Sequence, residues 1–182
     1  MSTITSFLSL SLIGLSFMLP NLQEKNVAEL ASSQDVSEVR LRMVPINVQP
    51  GPKHEPYRVC NKPLFKILVT NNSNSEIRVL MFDTYYQNRP QLYKEGKLIP
   101  YRRDTAKLVD SRERDPGTII SIRGFILEPA ATEELDALRL TDWYEPLLPG
   151  SYKLINRHRF AIRGAWSVDS EELLFEVLEQ DC

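Results

Sequence analysis

Apolar residues alternate with polar ones through most of the chain after residue 38, and this period of two limits the fold more than any other feature. In the stretch "VRLRM", Val39, Leu41 and Met43 share one parity. Successive side chains of a strand point to opposite faces, so such alternation is typical of a half-buried β-strand. The pattern recurs in the segments 64–70, 77–81 and 173–177. The sequence therefore predicts a β-protein.

Short turn signals separate these segments. Proline, with 12 residues, clusters between them, as in "VQPGPKHEP" and "RDPGT", and the polar run 71–76 joins two apolar stretches. Glu95 and Gly96 form a two-residue hairpin signal between apolar runs. About seven to eight short strands divided in this way are typical of an antiparallel β-sandwich. We therefore expect one all-β domain over residues 37–182.

Four places depart from the regular pattern. At Pro45 the alternation changes parity, which predicts a bulge or a change of sheet. Residues 102–117 are charged throughout and lack a clear period, so we expect a long loop that can include a helical turn. Residues 133–138 are compatible with a strand or with a helical turn. Gly124, inside an apolar stretch, predicts a bulge.

The stretch "LLPGSYKL" resembles the tyrosine corner of immunoglobulin-like sandwiches, in which a tyrosine near the start of the penultimate strand hydrogen-bonds to the backbone upstream. Gly150 would permit the positive φ of the turn. Tyr152 would supply the hydroxyl, and Leu154 would stand where antibody domains have a cysteine. We therefore predict an immunoglobulin-like antiparallel β-sandwich of about seven to eight strands, in which Gly150, Tyr152 and Leu154 have structural roles.

The N-terminal segment predicts an exported protein. Residues 4–19 form an uncharged run of 16 residues, shorter than the roughly 20 that a membrane-spanning helix needs. Such a run is typical of a secretory signal, and the small residues 31–33 offer a cleavage site, with Ala28 as a poorer choice. No basic residue precedes the run, so an uncleaved anchor is the alternative. We expect residues 1–33 to be a signal peptide or anchor with a linker, and the protein to be periplasmic or secreted, or else membrane-anchored through residues 4–19.

The two cysteines, Cys60 and Cys182, predict a disulfide if the protein is exported, because an even pair in an oxidising compartment is usually bridged. In an immunoglobulin-like sandwich the first and last strands run parallel and adjacent, which would bring these two positions to one pole. With 2 cysteines and 2 histidines in the chain and no close ligand pair, we expect no metal site. Phosphate-binding glycine motifs are absent from the sequence, and we expect no cofactor.

The sequence contains only weak candidates for a catalytic site. His158 lies between Arg157 and Arg159, and parity with Tyr152 predicts that the histidine points inward and both arginines outward. One interpretation is that the two arginines bind an anion. The favoured interpretation is an ordinary strand face exposed to solvent. The neighbouring "WSVDS" offers Ser167 and other triad partners, but no glycine-framed nucleophile turn is present. We therefore predict that the protein is not an enzyme.

Charged and aromatic residues next to turns are the candidates for a binding surface. Aromatic residues anchor interfaces when exposed, although we expect both tryptophans to be buried. A net charge of −2 argues against nucleic acid as a partner, so we expect a protein partner, with contact to a membrane only through residues 4–19. The candidate residues are Arg157, Arg159, Trp143, Tyr144, Tyr85, Tyr86, Arg102 and Arg103.

The run from "LFKILVTNNS" through "PQLYKEGKLIPY" and "LLPGSYKL" to "SEELLFEV" resembles the small immunoglobulin-like domains of exported bacterial proteins. It is distantly similar to the bacterial intracellular proteinase inhibitor family, which shares the polar N-x-S turn and the Pro-Gly-x-Tyr step. The segment 102–117 and the leader depart from that family. Two hypotheses follow: an exported, non-catalytic binding or accessory module, or a protease inhibitor that acts through its sandwich loops. A rigid, exposed loop at 102–117 would favour the inhibitor.

Overall fold

Ten β-strands and two α-helices make up the described part of the chain, which in this computed structural model comprises residues 37–46, 48, 56–116, 119 and 123–179. The strands are β1 (Val39–Ile46), β2 (Tyr57–Val59), β3 (Leu64–Asn71), β4 (Ile77–Met81), β5 (Gln91–Lys94), β6 (Lys97–Ile99), β7 (Arg123–Leu127), β8 (Thr132–Arg139), β9 (Gly150–Ile155) and β10 (Leu173–Val177). The helices are α1 (Thr84–Gln87) and α2 (Arg103–Arg114), and Leu140–Asp142 forms a 3₁₀ turn.

The strands form three sheets. One has the order β1-β3-β8 and is antiparallel throughout. The second has the order β2-β10-β9-β5-β6 and is antiparallel except for the β2–β10 pair, which is parallel. The third is the antiparallel pair β4-β7. The prediction of a β-protein with antiparallel sheets is confirmed. The described part of the chain contains ten strands, more than the roughly seven to eight that we expected for a simple immunoglobulin-like sandwich.

One hydrophobic cluster joins the inward-facing side chains of all three sheets. Phe65 of β3 and Phe175 of β10 meet edge to face, with ring centroids 5.2 Å apart. Both faces of β4 are covered, because Val79 belongs to this cluster while Leu80 belongs to a second, smaller one. The second cluster also contains Phe82, Tyr86, Ile119 and Ala161. A shared core between sheets is the arrangement expected of a β-sandwich.

The irregularities of the strands do not lie at the positions that the sequence predicted. β1 continues through Pro45, which is buried, and its register with β3 does not shift. β1 is an edge strand, where a missing backbone N–H is tolerated. The register shift lies instead in the β3–β8 pair, where Ile67 faces Asp136 and Leu68 faces Glu134. Residues 133–138 are therefore strand and not a helical turn, with residue 135 as the inserted position.

Gly124 lies in a regular register opposite Leu80, so the bulge predicted there is also wrong. A Cβ at this position would lie 2.8 Å from Leu80 Cδ2 and 3.0 Å from the Val79 carbonyl oxygen. The glycine is needed because β4 and β7 approach each other closely.

The segment predicted as a long loop is mostly helix α2. The expectation failed because the helix lacks a buried apolar stripe: Thr105 is its one fully buried residue. The Thr105 hydroxyl donates to the Asp142 carbonyl oxygen (2.7 Å) and accepts from Arg102 Nε (2.9 Å). Arg112 pairs with Asp83, at 3.2 Å, at the start of α1. Polar contacts to distant segments therefore hold α2 in place.

The turn before β9 has the geometry of a tyrosine corner. The Tyr152 hydroxyl donates to the Leu148 carbonyl oxygen at 2.6 Å. Gly150 has φ +137°, a value that favours glycine, and Leu154 is fully buried in the main cluster. The strand β9 thus begins from a turn that its own side chains close.

Cys60 follows β2 directly, is half-buried and is not a free thiol. β2 runs parallel to β10 with Val59 beside Val177, and the Leu178 N–H donates to the Val59 carbonyl oxygen at 2.9 Å. Cys60 therefore lies next to the end of the last strand. Cys182 is outside the described residues, so its pairing with Cys60 stays a prediction.

The leader predicted for residues 1–33 also lies outside the described residues. Among the helices of the described ranges, none has the length and hydrophobicity that crossing a membrane requires.

Candidate functional site

A cleft of about 270 Å³ lies beyond the end of β9, and we name it the arginine cleft. Five segments contribute to it: the stretch from the end of α1 to the first residue of β5, the residues after β6, helix α2, the residues after β9, and the loop that leads to β10. Its lining residues are Arg89, Gln91, Tyr101, Glu113, Arg157, Arg159 and Trp166.

Backbone hydrogen bonds bring the arginines together. The Arg89 N–H donates to the Arg157 carbonyl oxygen (3.1 Å), and the Arg159 N–H donates to the Gln87 carbonyl oxygen (2.9 Å). Arg159 also forms an isolated antiparallel bridge with Trp166. The three chain segments therefore run side by side, and their large side chains converge on one opening.

A buried polar network supports the floor of this region. His158 is wholly buried, and its Nδ1 lies 3.0 Å from Asn88 Oδ1. Asn156 Nδ2 donates to the same oxygen (3.0 Å), and the Asn156 N–H donates to Ser170 Oγ (2.9 Å). Burial lowers the pKa of His158 to about 3, so the imidazole is neutral at physiological pH.

The network does not form a catalytic triad. Ser167 Oγ accepts a hydrogen bond from the backbone N–H of His158 (3.0 Å) and donates to the Val168 carbonyl oxygen (2.8 Å). Asp169 is paired with Arg157. A triad needs the nucleophile and the base in direct hydrogen-bond contact, and that contact is missing here.

Arg159 is the most enclosed of the three arginines, with 8% of its surface exposed. Its Cζ lies 4.1 Å from the ring centre of Trp166 and 4.5 Å from that of Tyr86. Its Nη1 donates to Glu113 Oε2 at 3.2 Å. The predicted outward orientation is therefore wrong. Parity with Tyr152 still holds at Arg157 and His158, but it is lost at residue 159, outside the regular strand that ends at Ile155.

Arg89 is fixed on several sides. Its Nη1 donates to the carbonyl oxygens of Tyr85 (2.7 Å) and Asn88 (2.6 Å), at the C-terminal end of α1, and its Nη2 donates to Glu113. Its Cζ lies 4.8 Å from the ring centre of Trp166. Burial lowers the pKa of Arg89, while the nearby Glu113 acts in the opposite direction. Arginine is still a cation here, since its ordinary pKa is so high.

Arg157 is exposed, as predicted from its parity, and pairs with Asp169 through Nε and through Nη2, the latter at 3.3 Å. The hydrogen bonds that Arg157 donates to Asp169, followed by the negative charge of that carboxylate, raise the pKa of Arg157. A guanidinium has five N–H donors, so this pairing leaves others to offer. Arg157 is therefore the most accessible cation of the cleft.

The cleft carries a small positive excess. Arg89, Arg157 and Arg159 supply three positive charges, while Glu113 and Asp169 supply two negative ones, which leaves one positive charge. Guanidinium groups that stack on aromatic rings and keep free N–H donors are suited to binding anions. Within the described ranges, no group of histidine, cysteine or acidic residues could hold a metal ion.

The other predicted binding residues do not join this site. Trp143 and Tyr144 are each 1% exposed. Trp143 packs against Tyr85 and Tyr101, with ring centres 5.2 and 5.3 Å apart. Tyr144 donates its hydroxyl to the Pro90 carbonyl oxygen at 2.7 Å, and burial raises its pKa. These two aromatic residues therefore belong to the core, not to a binding surface.

Tyr85 and Tyr86 lie on α1. Tyr85 is half-buried, and burial raises its pKa. Tyr86 is buried beneath Arg159, and its hydroxyl accepts from the Arg163 N–H at 2.8 Å. Of the sequence-predicted pairs, only Arg157 and Arg159 line the cleft.

Arg102 and Arg103 lie at the start of α2 and not in the cleft. Arg102 Nη1 donates to the Thr141 carbonyl oxygen at 3.2 Å, so its guanidinium anchors the helix to the 3₁₀ turn. Arg103 is exposed at the first position of the helix.

Arg89, Tyr101 and Glu113 are the functional residues that sequence reasoning missed. Trp166 was noticed as an aromatic residue between the last two strands, but we expected it to be buried, and it is half-buried. No local pattern marks these residues, because each becomes part of the cleft only through contacts across the fold. Burial raises the pKa of Tyr101 to about 12, so its hydroxyl is a neutral donor to the Pro90 carbonyl oxygen (2.8 Å).

The chain matches no protein-family model, and no curated protein resembles it at a significant level. The geometry of the cleft is therefore the basis on which a function is proposed.

Proposed function

We propose that this protein is an exported, non-catalytic binding or accessory module that contacts a protein partner through the arginine cleft. The observation that carries the proposal is the placement of Arg89 and Arg159 over the ring of Trp166, which is half-buried. Arginine, tryptophan and tyrosine are the residue types enriched at energetic hot spots of interfaces. A cleft built from them is a reasonable anchor point for a partner side chain.

The rigidity of the cleft supports a binding role. Glu113 bridges Arg89 and Arg159, and backbone carbonyl groups hold Arg89 from the other side. Ordering a long side chain on binding costs about 0.5–1.5 kcal/mol. Side chains that are already fixed avoid much of this cost, so a partner would meet a preformed surface.

The finer fold proposal is an immunoglobulin-like sandwich. It is supported by the tyrosine-corner geometry at Tyr152, by the common core of the sheets, and by the parallel pairing of β2 with the last strand β10. Modules of this architecture present loops at the ends of their strands. The arginine cleft occupies that kind of position, beyond the end of β9.

Export is supported by the uncharged run 4–19 and by the absence of a free thiol among the described residues. The test is the intact mass of the protein from its native host after thiol alkylation without reduction. We expect a mass that lacks the leader up to a point between Ala28 and Ser33, with no alkylation, which would also establish the Cys60–Cys182 bridge. A full-length mass with two alkylated thiols would contradict export.

The partner contact can be tested by placing a photo-crosslinking residue at Val168 and, as a control, at Leu148, in the native host. Both side chains are exposed, at 52% and 70%, but Val168 is near Trp166 while Leu148 precedes the opposite end of β9. We expect a discrete adduct from Val168 that is absent from Leu148 and is lost with Arg157→Glu. Equal adducts from both positions would refute the cleft as the contact. Stoichiometric inhibition of a protease would favour the alternative, an inhibitor.

A further inference from the structure

The arginine cleft already holds one carboxylate of the chain itself. Glu113 donates nothing and accepts from two guanidinium groups: Oε1 from Arg89 Nη2 and Oε2 from Arg159 Nη1, the latter at 3.2 Å. Hydrogen bonds between a guanidinium group and a carboxylate are charge-assisted and stronger than those between neutral groups. The arginine side chains of the cleft therefore already bind one carboxylate.

Some of its donors have no acceptor. Arg159 is more than nine-tenths buried, lines the cleft, and its Nε has no hydrogen-bond partner within the described ranges. Buried N–H groups are almost always paired, so the unpartnered Nε of a side chain that lines the cleft indicates an acceptor that arrives with a ligand. Arg157, at the open side, uses only Nε and Nη2 for Asp169. Arg157 and Arg159 thus supply the donors for a second anion.

The charge of the cleft selects the kind of anion. The one positive charge left after Glu113 and Asp169 are counted is neutralised by one carboxylate. A phosphate group carries about −1.5 to −2 charges at neutral pH and would leave the site with a negative excess. The aromatic wall formed by Trp166 and Tyr101 gives an apolar neighbour for the carbon chain that carries the carboxylate.

From these observations we infer that the ligand of the cleft is a peptide carboxylate, supplied by an acidic side chain or by the C-terminus of the partner. The carboxylate accepts from Arg157 and Arg159, and the adjoining side chain lies against Trp166. This inference rests on the proposed binding function and names the chemistry that the cleft recognises.

The test uses ¹⁵N-labelled full-length protein and follows the Nε–H signal of Arg159 and the indole N–H signal of Trp166. The probes are blocked alanine pentapeptides with a central glutamate or glutamine, and acetylated alanine tripeptides with a free or amidated C-terminus. We expect saturable shifts of both signals with the glutamate peptide, the free C-terminus, or both, and none with the neutral partners. Which of the two carboxylates binds more tightly identifies its source. Equal shifts with the neutral peptides, tighter binding of inorganic phosphate, or no saturable shift would each overturn the inference.

Two variants with opposite expected effects separate recognition from damage to the fold. Arg157→Ala removes an exposed cation and should weaken carboxylate binding about tenfold, the loss typical of one charge-assisted hydrogen bond. Glu113→Gln keeps the length of the side chain and one acceptor oxygen between Arg89 and Arg159 but removes the competing negative charge, so it should strengthen binding several-fold. Arg42→Ala, an exposed arginine on β1, is the matched control and should leave binding unchanged. Loss of binding in Glu113→Gln with an intact fold would contradict the inference.

The outcome is distinguishable from failure of the proposed function. A partner crosslink at Val168 that depends on Arg157, together with no carboxylate binding, would leave the binding module standing and remove the carboxylate as its ligand. Carboxylate binding without any crosslink would support the ligand chemistry and place the partner contact elsewhere. Absence of both would refute the two proposals together.

Discussion

The two ends of strand β9 are constructed in different ways. At its start, Gly150, Leu148 and Tyr152 lie within five residues, and one hydroxyl-to-carbonyl hydrogen bond closes the turn. Beyond its end, Arg159 meets Glu113 from 46 positions away, and His158 meets Asn88 from 70. The first end is a local motif over an apolar core, and the second is an assembly of distant polar segments.

This difference has an energetic consequence. A substitution in the local turn removes one hydrogen bond, and the packing of the rest of the core remains. A buried polar assembly loses several at once, because each removed group leaves partners without water or protein to bind. The end of β9 that forms the candidate site is therefore the more easily destabilised of the two. The same set of buried polar contacts holds the arginines of the cleft in place.

The largest expected effect is at Gln87, whose side chain satisfies three backbone groups beneath the cleft. It accepts from the Phe82 N–H (2.5 Å) and donates to the carbonyl oxygens of Leu80 (2.7 Å) and Arg159 (2.8 Å). Gln87→Leu preserves the volume but leaves all three unpaired, so we expect a loss of at least about 3 kcal/mol in the free energy of unfolding, at about 1–3 kcal/mol per group. Urea denaturation measures it.

Gln91→Leu is the control for that change. Gln91 is half-buried and accepts only from the Tyr93 hydroxyl (2.8 Å), so we expect a loss below about 1 kcal/mol. Equal losses in the two glutamine variants would show that the buried position beneath the cleft contributes no more to stability than a half-buried position at its wall.

The next effect concerns pH. His158 has a pKa of about 3 in the folded protein because it is buried, against about 6.5 in an unfolded chain. Above pH 6.5 both states are neutral and the histidine adds no pH dependence. As the pH falls below 6.5 the unfolded state binds the proton first, so stability decreases until the pH reaches about 3. At pH 4.5 the decrease is about 2.7 kcal/mol, from two pH units at about 1.36 kcal/mol each.

His158→Asn isolates this contribution. The asparagine amide can replace the Nδ1 donor towards Asn88 but cannot be protonated. The variant should be less stable at pH 7, and the difference from the unaltered protein should shrink or reverse at pH 4.5. His54, which lies outside the described residues, is common to both proteins and cancels in the comparison. Parallel stability curves from pH 7 to pH 4.5 would contradict the assignment.

The same contrast explains what could be predicted from sequence. The strands β1, β3 and β4 were predictable because alternation of apolar residues is visible within a few positions, and the corner at Tyr152 was visible because all its parts are adjacent. Helix α2 was not, since its single fully buried residue is Thr105 and its anchors are ion pairs to Asp83, Arg89 and Arg159. Ion pairs between distant positions leave no periodic trace.

The arginine cleft was only half visible for the same reason. Arg157 and Arg159 were noticeable as a basic pair around a histidine, but the partner Glu113 is 24 positions from Arg89. The parity argument was correct for Arg157 and His158 but failed at Arg159, four positions beyond the end of β9 at Ile155. The alternation of apolar residues predicts which face of a strand a side chain occupies. It cannot predict a site formed by contacts between segments beyond the strand ends.

A smaller effect is expected at the local end of β9. Tyr152→Phe removes one hydroxyl that donates to the Leu148 carbonyl oxygen, and the apolar stacking of the ring on Phe175, with centres 5.5 Å apart, remains. We expect a loss of about 1 kcal/mol. Tyr144→Phe is the matched change at a more deeply buried hydroxyl, whose bond to the Pro90 carbonyl oxygen is 2.7 Å, and it should cost more. A larger loss at Tyr152 than at Tyr144 would mean that the hydroxyl of the corner contributes more to stability than the more deeply buried hydroxyl in the core.

The smallest effect on stability is expected where the effect on binding is large. Arg157 and Asp169 form an ion pair whose side chains are both 45% exposed, and exposed pairs contribute about 0–1 kcal/mol. Arg157→Ala should therefore change the denaturation midpoint little at neutral pH while it weakens carboxylate binding about tenfold, the loss of one charge-assisted bond. A loss of stability as large as that of Gln87→Leu would mean that Arg157 is part of the scaffold. A small loss, together with weakened binding, would mean that the exposed rim of the polar end serves recognition while the buried part beneath it serves the fold.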